Sequence, residues 1–222
     1  IIFDGGSSSE DQVGRYRILP YMKYLGYQKI QIAVISHMDI DHYSGIKELL
    51  EMGKIKYLGL PEIPKDETMK KIIGIAKKRG TTIFYLSRGR QITTKDGSLK
   101  VLHPQKNSQM EKNAASLVMQ GKILGYRVLL TGDVEKEGEE ELLSEELERA
   151  DILKAAHHGS KNSTSNEFLQ KVQPKQTVIS CGKQNRYGHP HLETIHRLQT
   201  YRTKIYRTDR SGAIIFFKRR DG

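Results

Sequence analysis

The sequence predicts a mixed α/β fold, and two observations carry that expectation. Short apolar runs rich in β-branched residues recur along the chain, and between them lie amphipathic stretches of helical period, several ending at glycine as helix termini do. No fixed period repeats and no low-complexity linker interrupts the pattern, so residues 1–222 are expected to form a single domain.

In order, "IQIAVIS" (30–36), "TTIFYL" (81–86), "SLVMQ" (116–120), "YRVLLTG" (126–132), "DILKAA" (151–156), "QTVISCG" (176–182) and "AIIFFK" (213–218) read as strands, being short, apolar and flanked by turn residues. The segments "ILPYMKYLG", "GIKELLEMG", "ETMKKIIGIAKKRG", "EEELLSEEL", "NEFLQKV" and "HLETIHRLQTY" place apolar residues three and four apart and read as helices. The chain opens inside a strand, "IIFDGG", which creates the expectation that earlier strands precede this stretch in a larger protein.

Charged residues make up 28% and hydrophobic ones 36%, the profile of a soluble globular chain. No stretch approaches the roughly 20 apolar residues of a membrane span, and the first residues lack a signal-peptide pattern. Cys181 is the one cysteine, so an internal disulfide is excluded. The net charge is +11; residues 135–149, with eight Glu against Lys136 and Arg149, hold −6, which leaves 11 + 6 = +17 on the rest. A body of that sign attracts polyanions, nucleic acid or an anionic membrane surface.

Four stretches carry candidate chemistry. In "VISHMDIDHYSG", His37, Asp39, Asp41 and His42 follow a buried strand and precede a helix, where α/β folds place ligand-binding side chains. Imidazole nitrogens and carboxylate oxygens at that density point to divalent cations, since packing alone gives no reason to crowd two carboxylates. Asp133 ends another strand in "LLTGDVEKEG", where it is either a ligand or the start of the acidic helix. His157 and His158 end a third strand in "ILKAAHHGSKNSTS", and His189 and His191 bracket Pro190 in "NRYGHPHLETIHRL". Three strand ends delivering His or Asp match the layout of a two-metal hydrolytic site. His103 and His196 are assigned to structure. Tyr16, Tyr21, Tyr24 and Tyr187 are expected mostly to pack, with base stacking as the other reading.

Together these residues resemble the metallo-β-lactamase superfamily, with its H-x-[HD]-x-D-H motif after a strand, a later lone Asp and a later His. Within it they resemble the soluble C-terminal domains of the ComEC-type competence family, in the ordered run "IIFDGG", "YLGYQKIQIAVISHMDIDHYSGI", "NAASLVMQ", "LLTGDVEKEGEEELL", "ILKAAHHGSKNSTS" and "NRYGHPH". The resemblance implies a four-layer αββα metallo-β-lactamase sandwich, here lacking its first strands. It implies two divalent metal ions, zinc or manganese, with His37 and Asp39 on one, Asp41 and His42 on the other, Asp133 bridging and His158 completing the second site. It gives His157, His189 and His191, with Asp41, catalytic roles beside a scissile phosphate, and makes Asp4 an acid that orients a ligand histidine. Ser160, Lys161, Asn162, Ser163 and Thr164 are suited to hold phosphate oxygens.

Two departures matter. Asp39 stands where the superfamily commonly has a second histidine, and the third histidine of the first site has no counterpart, with Asn113 or nothing in its place. The first site is therefore expected to be weaker and richer in oxygen, leaning toward manganese and open to being empty. The superfamily's upstream strands, with their GQGD turn, are also absent.

The resulting expectation is a metal-dependent phosphodiesterase or nuclease acting on DNA during DNA uptake, with basic runs such as "KKIIGIAKKRG", "SRGRQ" and "KRR" tracking the strand. Its parent is expected to be a membrane-embedded bacterial protein with this domain at the membrane surface. Two other readings fit the same residues: a small-molecule ester or lactam hydrolase, and a non-catalytic DNA-binding module with a decayed metal site.

Overall fold

In the computed structural model, which describes residues 1–111, 113–144 and 147–217, the chain divides into two compact units. One holds Ile1–Leu86 and the stretch from Gln105; the other holds Ser87–Pro104 and the chain from Asn113 onward.

The first unit is built on four parallel strands in sequence order, β1 (Ile2–Phe3), β2 (Ile30–Val34), β3 (Ile55–Pro61) and β4 (Thr82–Leu86). Parallel neighbours need a long crossover, and helices supply each one. A π-helical turn, Gly14–Ile18, runs into α1 (Leu19–Tyr24) between β1 and β2; α2 (Ile40–Glu51) and α3 (Glu67–Lys78) make the next two crossovers. Ile35, Ile46, Leu49, Leu50, Leu58 and Ile72 form the buried centre of this unit. Asp66 caps α3 by accepting from Met69 N at 2.7 Å, and Lys77 and Lys78 lie in its last turn, the charge arrangement the helix dipole favours.

The second unit has seven strands in the order β11-β10-β9-β8-β7-β6-β5. β5 (Gln91–Thr94), β6 (Gly97–His103), β7 (Val118–Ile123) and β8 (Tyr126–Leu130) pair antiparallel. From β8 the pairing becomes parallel through β9 (Ile152–Lys154), β10 (Gln176–Ile179) and β11 (Lys204–Arg207). The change follows the connections. Two-residue turns join β5 to β6 and β7 to β8, whereas α4 (Lys136–Leu143), α5 (Asn166–Val172) and α6 (Leu192–Thr200) cross over between the parallel strands. A short α7 (Thr208–Ser211) follows β11, and Leu129, Leu142, Leu153, Phe168 and Val172 fill the core.

All six expected helices form, and six of the seven expected strand runs do. "AIIFFK" does not: residues 214–217 carry no strand, Phe216 packs its ring against Tyr126 and Tyr206, and Ile215 and Phe217 face outward. Apolar composition there reflects irregular packing on two tyrosines. Lys218 and the rest of the "KRR" run, like Glu145 and Glu146 of the acidic run, lie outside the described residues. Strands β3, β5, β6 and β11 were not expected. Among the described residues no helix is long and apolar enough to cross a membrane.

Candidate active site

In the first unit His37 follows β2 and His42 lies in the first turn of α2, both buried, with ring centroids 4.1 Å apart. Two buried imidazoles side by side need partners, and Asp4 supplies that of His42 and Ser36 that of His37. Its Oδ1 accepts from Ser36 N at 2.7 Å, and its Oδ2 accepts from Ser36 Oγ at 2.8 Å and from His42 Nδ1 at 2.8 Å. Ser36 Oγ also lies 3.0 Å from His37 Nδ1. The serine has one proton and gives it to the carboxylate, so toward His37 the hydroxyl accepts. Hydrogen-bond logic therefore assigns the Nδ1 proton in both rings and leaves a lone pair on each Nε2.

Burial opposes charge on Asp4, but the His42 imidazole and the bond from Ser36 N outweigh it and hold the carboxyl below the usual range. His37 Nε2 is buried with no hydrogen-bond partner among the described residues, and Asp39 Oδ2 stands 3.6 Å away. A lone pair enclosed in this way is costly unless a cation or water occupies the space before it. Asp39 sits at the N-cap of α2 but makes no capping bond, and Asp41 is half-buried in the first turn.

The "DGG" turn explains how Asp4 gets beneath the histidines. Gly5 N donates to His42 O at 2.9 Å, and Gly5 O accepts from Ile46 N at 3.0 Å. A Cβ on Gly6 would stand 2.5 Å from Ile40 O, so the turn can lie against the start of α2 only with glycine there.

In the second unit Asp133 follows β8 and is buried. Its Oδ1 is 3.3 Å from Lys154 Nζ, while Oδ2 is 3.2 Å from His158 Nε2 and 4.0 Å from His157 Nε2. His157 Nδ1 bonds Glu135 Oε1 at 2.7 Å, and His158 Nδ1 donates to Ser180 O at 2.6 Å. A carbonyl only accepts, so His158 Nε2 presents a lone pair toward a carboxylate oxygen. Two such atoms at that distance need a proton or a cation between them. Both histidines adopt left-handed backbone, φ 46° and 52°, which strains non-glycine residues by roughly 1–2 kcal/mol each.

His189 and His191 lie beside this pair. The His189 ring is 5.4 Å from that of His157, 4.8 Å from His191 and 5.7 Å from Tyr187, which stacks on it. Asn185 holds the His189 backbone from both sides, accepting from its N at 2.9 Å and donating to its O at 2.6 Å. Burial first, and then the neighbouring His157, His191 and His158, push His189 down to about 4, so its imidazole is neutral at physiological pH. His191 Nδ1 accepts from Lys161 N at 3.0 Å.

The loop after the paired histidines divides by exposure. Lys161 and Asn162 face solvent. Ser163 and Thr164 are buried, with Ser163 Oγ donating to Ala156 O at 3.1 Å and Thr164 Oγ1 accepting from Ala156 N at 3.3 Å; Ser160 Oγ accepts from Asn162 N at 3.3 Å. The loop is braced from two helices. Glu139 of α4 accepts from Thr164 N and, at 3.0 Å, from Ser165 N, while Arg197 of α6 donates to the carbonyls of Lys161, Ser163 and Thr164 at 3.0, 2.9 and 3.1 Å. A cleft of about 700 Å³ beside the brace is lined by Glu135, Lys161, Asn162 and Arg197 among others. Arg197→Lys keeps the charge but loses the planar fork that reaches three carbonyls. The expected outcome is a loss of about 2 kcal/mol in urea denaturation, and an unchanged midpoint would show that the brace is idle.

Sequence reasoning missed Ser36, Glu135, Glu139, Asn185 and Arg197. Within the acidic run, Glu135, Glu139 and Glu141 each meet a partner: Glu135 bonds His157, Glu139 accepts from Ser165 N, and Glu141 meets Arg88 and His103. His103 is buried and also bonds Ala114 O at 2.6 Å, and His196 is exposed on α6. Tyr16, Tyr21, Tyr24 and Tyr187 do not pack inside; each is about half exposed or more.

A family model described as the metallo-β-lactamase superfamily matches residues 1–183. Over 95% of its length the chain is 38% identical to "ComE operon protein 3" of Bacillus subtilis, and over its full length it is 30% identical to "Competence protein ComA" of Neisseria gonorrhoeae. It spans only 27% and 30% of those two proteins. Among solved structures, the metallo-β-lactamase fold protein YhfI of Bacillus subtilis superposes with a TM-score of 0.57 at 15% identity, covering 92% of this chain and 82% of that one. Igni18, a metallo hydrolase of Ignicoccus hospitalis, superposes at 0.52 and 14%, covering 91% of this chain and 82% of that one. The expected fold class is the observed one: two sheets with helices in the metallo-β-lactamase fold.

Proposed function

Because the chain belongs to the metallo-β-lactamase superfamily, a fold of metal-dependent hydrolases, we propose that it hydrolyses phosphodiester bonds in DNA with divalent ions held by His37, Asp39, Asp41, His42, Asp133 and His158. The observation that carries this reading is the set of histidine tautomers. Asp4, Ser36 and Ser180 O fix the Nδ1 proton of His42, His37 and His158, so each ring offers Nε2 as a ligand atom. Histidines placed only for packing have no need of three separate fixed tautomers.

The residues fit such ions. Among the described residues His37 Nε2 is buried without a hydrogen-bond partner, and His158 Nε2 meets a carboxylate oxygen. Imidazole nitrogens joined to several carboxylates suit zinc or manganese, with the Asp39 side the harder of the two. When bound, the ions lower the pKa of water and offset charge on a phosphoryl group.

The chain's own groups do the rest. Lys154 holds Asp133 through Oδ1 while His158 meets Oδ2, which fixes the carboxylate. Glu135 orients His157 through Nδ1, leaving Nε2 to donate or accept at a phosphate ester oxygen. His189, neutral and stacked on Tyr187, serves as a hydrogen-bonding group there without adding charge. Lys161 and Asn162, exposed at the tip of a braced loop, hold nonbridging phosphate oxygens, while Ser160, Ser163 and Thr164 keep the loop in shape. DNA as substrate is supported by the strongly basic body, +17 outside the acidic run, and by the likeness to competence proteins. Action during competence-linked DNA uptake, from a membrane-anchored parent, is part of the same proposal.

The test is incubation of the 222-residue chain with labelled single- and double-stranded DNA, with manganese, zinc or a chelator. Cleavage is expected with metal, and loss of it is expected both in chelator and in an Asp41→Ala, His42→Ala variant. Cleavage that survives both conditions would sink the mechanism, and binding without cleavage at any metal supply would favour a non-catalytic module.

A further inference from the structure

Four tyrosines stand on the surface of the first unit between positions 16 and 27: Tyr16, Tyr21, Tyr24 and Tyr27, at 63, 48, 84 and 60% exposure. Exposed tyrosines at that density need a reason, because each leaves a large ring in water. The segment has two faces. Met22 is buried, and Ile18 and Leu19 pack against the unit's core, so the aliphatic side chains turn inward and the rings turn out. Tyr21 and Tyr24 already stack on one another, with centroids 6.5 Å apart and planes 21° from parallel.

Charge singles out the partner. From Gln12 to Lys29 the chain has no acidic residue, while Arg15, Arg17, Lys23 and Lys29 are all exposed. The segment is also rigidly attached: a Cβ on Gly14 would stand 2.4 Å from Gly45 O of α2, and Arg15 N donates to Glu48 at 2.9 Å. α2 is the helix whose first turn carries Asp41 and His42.

We propose that residues 15–29 form a stacking platform for single-stranded nucleic acid, with bases on the tyrosine rings and phosphates on Arg15, Arg17, Lys23 and Lys29. Every base has a π-face, so such a surface takes a strand without reading its sequence. A lipid surface fits less well, since helices that lie in a membrane interface present Trp, Phe and Leu outward. Here Leu25 alone joins the tyrosines. The inference rests on the proposed function for its substrate class and adds the surface that holds the strand.

The chain has no tryptophan, which supplies the probe. In Tyr24→Trp the one indole sits on the platform, and its emission is expected to be quenched when a short labelled oligonucleotide of mixed sequence is added in EDTA. Replacing all four tyrosines by alanine is expected to weaken single-strand binding by about tenfold or more. Replacing them by phenylalanine should restore it, since stacking needs the ring and not the hydroxyl. Being exposed, the four positions should leave the circular dichroism of both variants unchanged. Undiminished affinity in the alanine variant overturns the platform, even if DNA is still cleaved. Quenching by anionic phospholipid vesicles but not by the oligonucleotide overturns it in favour of a membrane surface. Quenching and ring-dependent binding in a chain that cleaves no DNA support the platform and count against the hydrolysis alone.

Discussion

Asp133→Asn is expected to lower DNA hydrolysis by about three orders of magnitude or more while leaving the fold in place. Charge stabilisation by bound metal is worth several kcal/mol, and each 1.36 kcal/mol is tenfold in rate. Asp133 is the carboxylate on which that contribution would turn. It is buried, its Oδ2 is 3.2 Å from His158 Nε2, and Lys154 reaches its Oδ1 at 3.3 Å. Asparagine has the same shape but no charge, so it holds a divalent ion poorly. The fold survives because Lys154 Nζ also donates to Gly132 O at 2.7 Å and the Asp133 backbone donates to Ser116 Oγ at 3.2 Å. Turnover at saturating manganese or zinc, paired with bound-metal stoichiometry, reads the effect. A variant that keeps its metal and works within tenfold of the parent would remove Asp133 from the ligand set.

Strand ends and helix periods were legible because they depend on residues close in sequence. The parallel strands β2, β9 and β10 stand out as apolar runs with half or more of their residues buried, and the edge strand β4 stands out by its β-branched and aromatic residues. β5 and β6 did not stand out: "QITT" and "GSLKVLH" alternate polar with apolar around a Lys95–Asp96 turn, and that pattern competes with loop readings. The C-terminal apolar run misled for the opposite reason, because its Phe216 is held by ring contacts with Tyr126 and Tyr206.

The candidate site divides along the same line. His37, Asp39, Asp41, His42, His157 and His158 could be picked out because ligand-type residues crowd together in two short stretches. The groups that orient them could not. Ser180 meets His158 through a backbone carbonyl that any residue carries, and Glu135 is one of eight glutamates in an acidic run. Glu139 accepts from the backbone amides of Thr164 and Ser165, and Arg197 donates to the carbonyls of Lys161, Ser163 and Thr164, partners that only the fold brings within reach. Asp4 was reached through family resemblance, and its bonds to Ser36 and His42 give that assignment its physical content.

Those bonds make Asp4→Asn the more discriminating substitution. The asparagine oxygen can still accept from Ser36 N, but its amide must then face Ser36 Oγ and His42 Nδ1, where the carboxylate accepted two protons. An amide donates. His42 Nδ1 is driven to accept, its proton moves to Nε2, and the lone pair offered to a cation is lost. Partners that orient metal-binding histidines are typically worth 10–100-fold in affinity or activity, and where an Asp-to-Asn change inverts a catalytic histidine's tautomer the loss reaches about 10⁴-fold. The expected result is a fall of at least tenfold in metal affinity with a larger fall in hydrolysis, and the His42 ring nitrogen shifts in NMR should report the tautomer directly. Stability gives a second readout with a definite sign. The Asp4 carboxyl is held below its ordinary value of about 3.9, so its contribution is fully present above about pH 4 and is lost as pH falls through the lower folded value. Asp4→Asn should therefore be less stable than the parent at neutral pH, with the difference shrinking toward acid. A difference that stays constant from neutral pH down to about pH 2 would mean that Asp4 fills space and sets no charge.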